Sequence, residues 1–306
     1  MTKPRIGIAL GGGAARGWSH IGVLHALAEA GLEPDIVVGT SIGSVVGGCY
    51  VAGKLDELEA WTRQLTRRRV FGFLDFNFAG SGLISGQKLS AELAGQLEHV
   101  QIENMDRKFV AVATELKTGH EIWLSKGPLV PAMHASYALP GIFRPVKINN
   151  RWLIDGALVN PIPVSVCRAL GARVVIAVNL NWDFFGKGTV VPNQDAFGET
   201  EPTDEESIPP AGNGHAAQNL LRRQFFGQGS DAPGISSVMM DAFNIIQDRI
   251  ARSRLAGDPP DIMIMPVLGG MGLFDFHLAG DAIASGREAT EKVISDIRRA
   301  AHVLAA

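Results

Sequence analysis

Residues 35–52 read Asp-Ile-Val-Val-Gly-Thr-Ser-Ile-Gly-Ser-Val-Val-Gly-Gly-Cys-Tyr-Val-Ala. The β-branched run Ile36-Val37-Val38 is too short for a helix and predicts a buried strand. It enters Gly39-Thr40-Ser41-Ile42-Gly43, and the apolar stretch from Ser44 onward predicts a helix leaving it. A strand running into Gly-x-Ser-x-Gly and a helix running out is the setting of a nucleophile elbow. The serine needs a strained turn that lifts its oxygen clear of the sheet. Gly39 and Gly43 flank it because a Cβ at either place would meet neighbouring backbone. The helix N-terminus favours negative charge developing nearby. Ser41 as a plain helix N-cap is the competing reading.

Upstream, residues 5–10 (RIGIAL) predict another buried strand, and 17–30 carry apolar residues at helical spacing up to Gly31. Between them lies Gly11-Gly12-Gly13-Ala14-Ala15-Arg16-Gly17. Consecutive glycines let backbone N–H groups converge, which suits an oxyanion or a phosphate. A dinucleotide fingerprint fails in both registers: counting from Gly11 puts Arg16 in the last place, where glycine or alanine is required, counting from Gly12 puts Ala14 in the third, where glycine is required, and Gly39 replaces the acid at the end of the next strand. A phosphate loop of the Walker type fails because Trp18 stands where lysine is needed. An oxyanion loop built on Gly11, Gly12 and Gly13, or tight packing, is left. Arg16 either holds the loop or meets a substrate phosphate.

Downstream, an amphipathic helix is predicted over 55–69, an irregular glycine-rich aromatic loop over 71–86 and a helix over 86–97. Strands follow at 108–116 and 120–124, and a short helix at 128–137. Trp152-Leu153-Ile154 predicts a strand that delivers Asp155 to the carboxyl edge of the sheet, where ligands bind in such folds. Gly156 allows the turn that points the carboxylate inward. Asp155 as a turn residue is the plain alternative. Further strands are predicted at 173–180 and 261–267, and helices at 235–255 and 280–303. Alternating strands and helices predict an α/β fold, a mostly parallel central sheet with helices on both faces.

The chain has 306 residues, a net charge of −3 and two cysteines, Cys49 and Cys167. That charge does not suggest nucleic acid. Two cysteines in apolar helical stretches make neither a disulfide framework nor a zinc site, and a cytoplasmic protein is expected. The first residues lack a signal peptide's apolar length, and no run is long enough to span a bilayer. The composition changes near residue 183. Residues 181–234 are expected to form a flexible insertion between a core at 5–180 and a C-terminal part at 235–306 that completes the same domain.

The glycine loop, the Gly-Thr-Ser-Ile-Gly elbow and the Asp155-Gly156-Ala157 triplet occur in that order. Together they resemble the patatin-like phospholipase family, most closely its bacterial branch, over about residues 5–180. The resemblance implies a three-layer sandwich and a Ser–Asp dyad without histidine. Ser41 would be the nucleophile and Asp155 the base. Gly11, Gly12, Gly13 and Arg16 would form the oxyanion loop. It also implies a lipid ester as substrate and neither metal nor cofactor. Family loops often carry a further glycine where this chain has Ala14. A Ser-Asp-His triad has one plausible histidine, His277; His20 and His25 read as packing or surface residues. Phe71, Phe73, Phe76 and Phe78 beside Arg67, Arg68 and Arg69 are expected either to fill the core or to touch a membrane interface peripherally. The rival classes are a regulatory or scaffold protein on this fold and a nucleotide-binding α/β protein.

Overall fold

Four strands are buried on both faces because their sequences are apolar at nearly every position, Thr40 and Thr114 being the buried polar exceptions: β1 (Ile6–Leu10), β2 (Ile36–Thr40), the body of β3 (Lys108–Glu115) and β7 (Val174–Val178). Such runs belong at the centre of a parallel sheet covered on each side. The computed structural model describes residues 4–67, 95, 97–183 and 235–304. Among the described residues eight strands form one sheet along the hydrogen-bonded path β5-β6-β3-β2-β1-β7-β8, with β4 also on β3. Here β4 is Glu121–Leu124, β5 Val146–Ile148, β6 Arg151–Asp155 and β8 Ile262–Ile264. Pairings among β3, β2, β1, β7 and β8 are parallel, whereas β4, β5 and β6 are antiparallel additions.

Ile6, Ile8 and Leu10 of β1 face one helix layer, made of α1 (Ser19–Glu29), α2 (Ile42–Val51), α3 (Leu55–Thr62), α4 (Leu129–Tyr137), and the closing helices α7 (Ala279–Glu291) and α8 (Ile294–Val303). Ala9, Val38, Val110 and Val175 face the other, where α5 (Val164–Ala169) and the Ala251 and Leu255 positions of α6 (Ile235–Gly257) pack. The result is the expected α/β sandwich with helices on both faces. The chain divides into two compact units, 1–184 with 247–306, and 185–246.

Local differences from the sequence reading have local causes. The helix expected over 55–69 stops at Thr62, where Gln64 and Leu65 bond back three residues instead of four. The expected closing helix breaks at Lys292–Val293. Thr290 Oγ1 bonds back to Gly286 O there, and Val293 N–H reaches Thr290 O in a tightened turn. Strand β5 was not anticipated. It pairs with β6 through Asn149-Asn150, both at positive φ (46° and 66°), the pattern of a type I′ hairpin. The expected aromatic loop with Phe71, Phe73, Phe76, Phe78, Arg68 and Arg69, most of the helix at 86–97, and the insertion from residue 184 on lie outside the described residues.

Candidate active site

Strand β3 has three partners but only two edges. Its partner β4 covers residues 111–114, overlapping both the β2 pairing (108–112) and the β6 pairing (113–115), so β4 holds one edge alone. Strands β2 and β6 therefore share the other edge end to end. Thr40 lies opposite Val112 and Asp155 opposite Ala113. This arrangement brings Ser41, the residue after Thr40, to Asp155, and Ser41 Oγ–H donates to Asp155 Oδ2 at 2.6 Å.

Ser41 has φ 57° and ψ −127°, a conformation a serine adopts only when its surroundings impose it. The surroundings are tight. A Cβ on Gly39 would come within 2.3 Å of Gly43 O, and one on Gly43 within 2.2 Å of Leu10 O. The Ser41 N–H donates to Ser136 Oγ at 2.9 Å, whose hydroxyl in turn donates to Val112 O at 2.6 Å. Ser44 Oγ caps Ser41 O at 2.6 Å. Sequence reasoning missed Ser136, because nothing local in α4 marks it.

Asp155 is buried. Its Oδ1 accepts the Ala157 N–H at 2.8 Å, and the turn that allows this needs Gly156, where a Cβ would lie 2.1 Å from Val112 O. Burial raises its pKa to about 7, against the lowering effect of the bonds from Ser41 and Ala157. Among the described residues no histidine bonds to Ser41 or Asp155. The triad candidate His277 accepts from Arg67 Nε at 3.0 Å instead.

The glycine loop lies against this pair, since a Cβ on Gly12 would be 3.4 Å from Ser41 Cβ. Its donors are not equivalent. The Gly11 N–H is spent on Val178 O (3.3 Å) and the Gly12 N–H on Pro161 O (3.0 Å), which corrects the expectation that both face an oxyanion. Among the described residues the N–H groups of Gly13 and Ala14 have no acceptor. Ala14 sits at φ 49°, the region glycine prefers. Arg16 is also turned to structural use. It is buried, donates from Nε to Met271 O (3.0 Å) and from Nη1 to Asn181 Oδ1 (2.7 Å), and so fixes the loop to the segments after β7 and β8. His20 is buried too, its Nε2 2.8 Å from Gly11 O, and burial lowers its pKa to about 4, so it is neutral and donates that bond. Gln247, unremarked in the sequence, has a buried Oε1 without a partner, 3.4 Å from where a Gly12 Cβ would be.

The family model for patatin-like phospholipase matches residues 8–168, more than half of the chain, spanning loop, elbow and Asp155. This chain belongs to the patatin-like phospholipase family. An uncharacterized NTE family protein of Mycobacterium tuberculosis is 32% identical over 331 aligned residues, 94% of this chain and 90% of that protein. A patatin-like phospholipase domain-containing protein of Caenorhabditis elegans is 36% identical over 191 residues, 59% of this chain but 14% of that larger protein. Among solved structures, VipD from Legionella pneumophila is similar with a TM-score of 0.48 at 12% identity, covering 96% of this chain and 67% of that one. Membership gives this patatin-like protein its activity class, hydrolysis of lipid esters. No helix among its described residues is long and apolar enough to cross a membrane.

Proposed function

We propose that the protein is a serine acyl hydrolase that cleaves carboxylic esters of phospholipids or lysophospholipids through Ser41 and Asp155. The observation that carries this reading is the 2.6 Å bond from Ser41 Oγ to a buried carboxylate. A carboxylate in water, with a pKa near 3.9, is a poor base for a serine hydroxyl. Asp155 is better suited, because burial favours its neutral form and so favours its taking a proton.

In the forward step Asp155 Oδ2 takes the Ser41 proton as Oγ bonds to the acyl carbonyl carbon. The carbonyl oxygen becomes an oxyanion, held by the Gly13 and Ala14 N–H groups. The C–O bond to the leaving alcohol breaks, Asp155 returns the proton to that alcohol, and an acyl-enzyme remains. Water then repeats the sequence: Asp155 takes its proton, hydroxide attacks the acyl carbon, and Ser41 Oγ leaves and recovers the proton as the fatty acid departs. Each well-placed oxyanion donor contributes about 2.7–4 kcal/mol to lowering the barrier.

The test is turnover of short-chain p-nitrophenyl esters, with labelling by a fluorophosphonate probe. Labelling at Ser41 that vanishes in Ser41→Ala, together with lost turnover, supports the reading. Full turnover by Ser41→Ala removes it, and a protein that neither labels nor turns over is a scaffold or regulator. Profiling of released lipids then decides between phospholipase and lysophospholipase chemistry.

A further inference from the structure

Three large apolar side chains stand in solvent on one face of the antiparallel end of the sheet: Leu116 (53% exposed), Trp152 (51%) and Trp123 (45%). The register puts them there together. Trp123 lies opposite Val112, and Leu116, whose N–H bonds to Trp152 O, follows Val112 at an even spacing. Lys147 is the cross-strand partner of Trp152, with its ammonium 5.7 Å from the ring centroid. The helix layer on this face packs over Val110 and Val112, burial continues through Thr114, and Leu116 is the first position on this face of the strand to stand exposed.

The position of this face matters. Strand β3 runs parallel to β2, so its residues after Val112 pass the carboxyl edge of the parallel sheet, the edge from which Ser41 projects. Leu116 lies four residues, about 13 Å, beyond that level. The segment that builds this end of the sheet is net positive, counted over both of its faces, with Glu115 and Arg151 on the face away from Trp152. Residues 115–153 carry five Lys or Arg (Lys117, Lys126, Arg144, Lys147, Arg151) against two Glu (Glu115, Glu121), a net of +3 in a chain of net −3. Both glutamates are engaged, Glu115 by Arg151 at 3.3 Å and Glu121 by Arg254 at 3.0 Å. Among the described residues Lys117, Arg144 and Lys147, all exposed, form no ion pair.

We propose that this face docks the enzyme on an anionic phospholipid surface, with Trp152 and Leu116 entering the headgroup layer and Lys147 against lipid phosphate. Tryptophan suits that depth because its ring is apolar and its N–H stays wet. A second copy of the chain fits less well, because a two-fold contact would set this net positive end of the sheet against itself. The proposal rests on the reading of the substrate as a lipid ester, and it places a lipid surface beside the edge that carries Ser41.

Binding is measured with Ser41→Ala protein, so that hydrolysis plays no part and a failure of the catalytic reading does not blur the result. The probe is co-sedimentation with vesicles of equal parts phosphatidylcholine and phosphatidylglycerol, against phosphatidylcholine alone. The expected result is partition that favours the anionic vesicles and weakens with salt. Leu116→Ser with Trp152→Ser should lower it about tenfold or more. Lys147→Glu, which keeps the apolar surface, should lower it about fivefold at low salt. In the Ser41-bearing enzyme these same variants should leave turnover of soluble short-chain esters unchanged. Parent-level partition by both variants, or no partition by the parent at low salt, overturns the proposal. So does a parent dimer that Lys147→Glu dissociates without any vesicle binding.

Discussion

Ser41 and Asp155 stand at the facing ends of two strands that share one edge of β3, at positions next to its consecutive residues Val112 and Ala113. Their contact is therefore fixed by backbone pairing and not by flexible side chains. Ser41→Ala and Asp155→Ala should each lower kcat/KM for p-nitrophenyl esters about a thousandfold or more, and the double variant should be no worse than the singles, as for residues that act as one unit. Additive losses in that cycle would separate the two residues.

Asp155 must be ionised to accept the serine proton. With its pKa pushed up to about 7, activity should rise with pH through that value and level off above it. A rate profile already flat from pH 5 would show an Asp155 that titrates far lower.

The same shift bears on stability. The folded state holds the Asp155 proton more tightly than the unfolded chain, where the ordinary value is 3.8. The benefit is complete below that value and is lost as pH rises through about 7. Asp155→Asn, which is never charged, should gain most over the parent in melting temperature at pH 8, less at pH 5 and least below pH 3.8, by roughly 2–4 °C for each kcal/mol recovered. Equal melting differences at all of these pH values would count against a buried charge.

Gly43→Ala should be among the most damaging single-methyl changes in the molecule, because the added carbon would sit 2.2 Å from Leu10 O, a backbone atom that cannot swing away. A loss of about 3 kcal/mol or more is expected. Gly257→Ala, at the end of α6 with nothing within 4 Å, should stay within about 0.5 kcal/mol. Thermal melts of the two variants side by side check this.

Arg16 holds the loop through Met271 O and Asn181 Oδ1. Arg16→Lys cannot reproduce that fork and should lower stability by about 1–3 kcal/mol. KM for a substrate without phosphate and for one with phosphate should change by the same factor. A selective loss for the phosphate-bearing substrate would return Arg16 to substrate binding.

Gln247 Oε1 lacks a partner beside Gly12. Gln247→Leu should leave the melting temperature unchanged or slightly higher, since a buried polar atom is removed. It should lower kcat/KM for lipid substrates about tenfold if the amide orients substrate or water. Unchanged kinetics would make the orphan atom incidental.

Much of this site was written locally. The strand before Ser41, the helix after it, the glycines at 39 and 43 and the turn at Gly156 all follow from period and turn chemistry. The Asn149-Asn150 hairpin was equally local, and its two adjacent turn residues are the signal that marks β5. Gly11 and Gly12 could not be set apart from Gly13 and Ala14 in that way. Which N–H groups remain open depends on Val178 O and Pro161 O, carbonyls more than a hundred residues away.

The amino-acid order by itself determined the residue types, the strained turn under Ser41 and an acid at a strand end, because each depends on a few neighbouring dihedrals and on apolar periodicity. The tertiary structure alone decided that β2 and β6 abut on β3, that Asp155 is dry enough for its pKa to rise, and that Arg16 and His20 face inward as supports. Those outcomes are set by which distant segments pair and exclude water together, and strand pairing between remote stretches leaves no mark in the local pattern of either one.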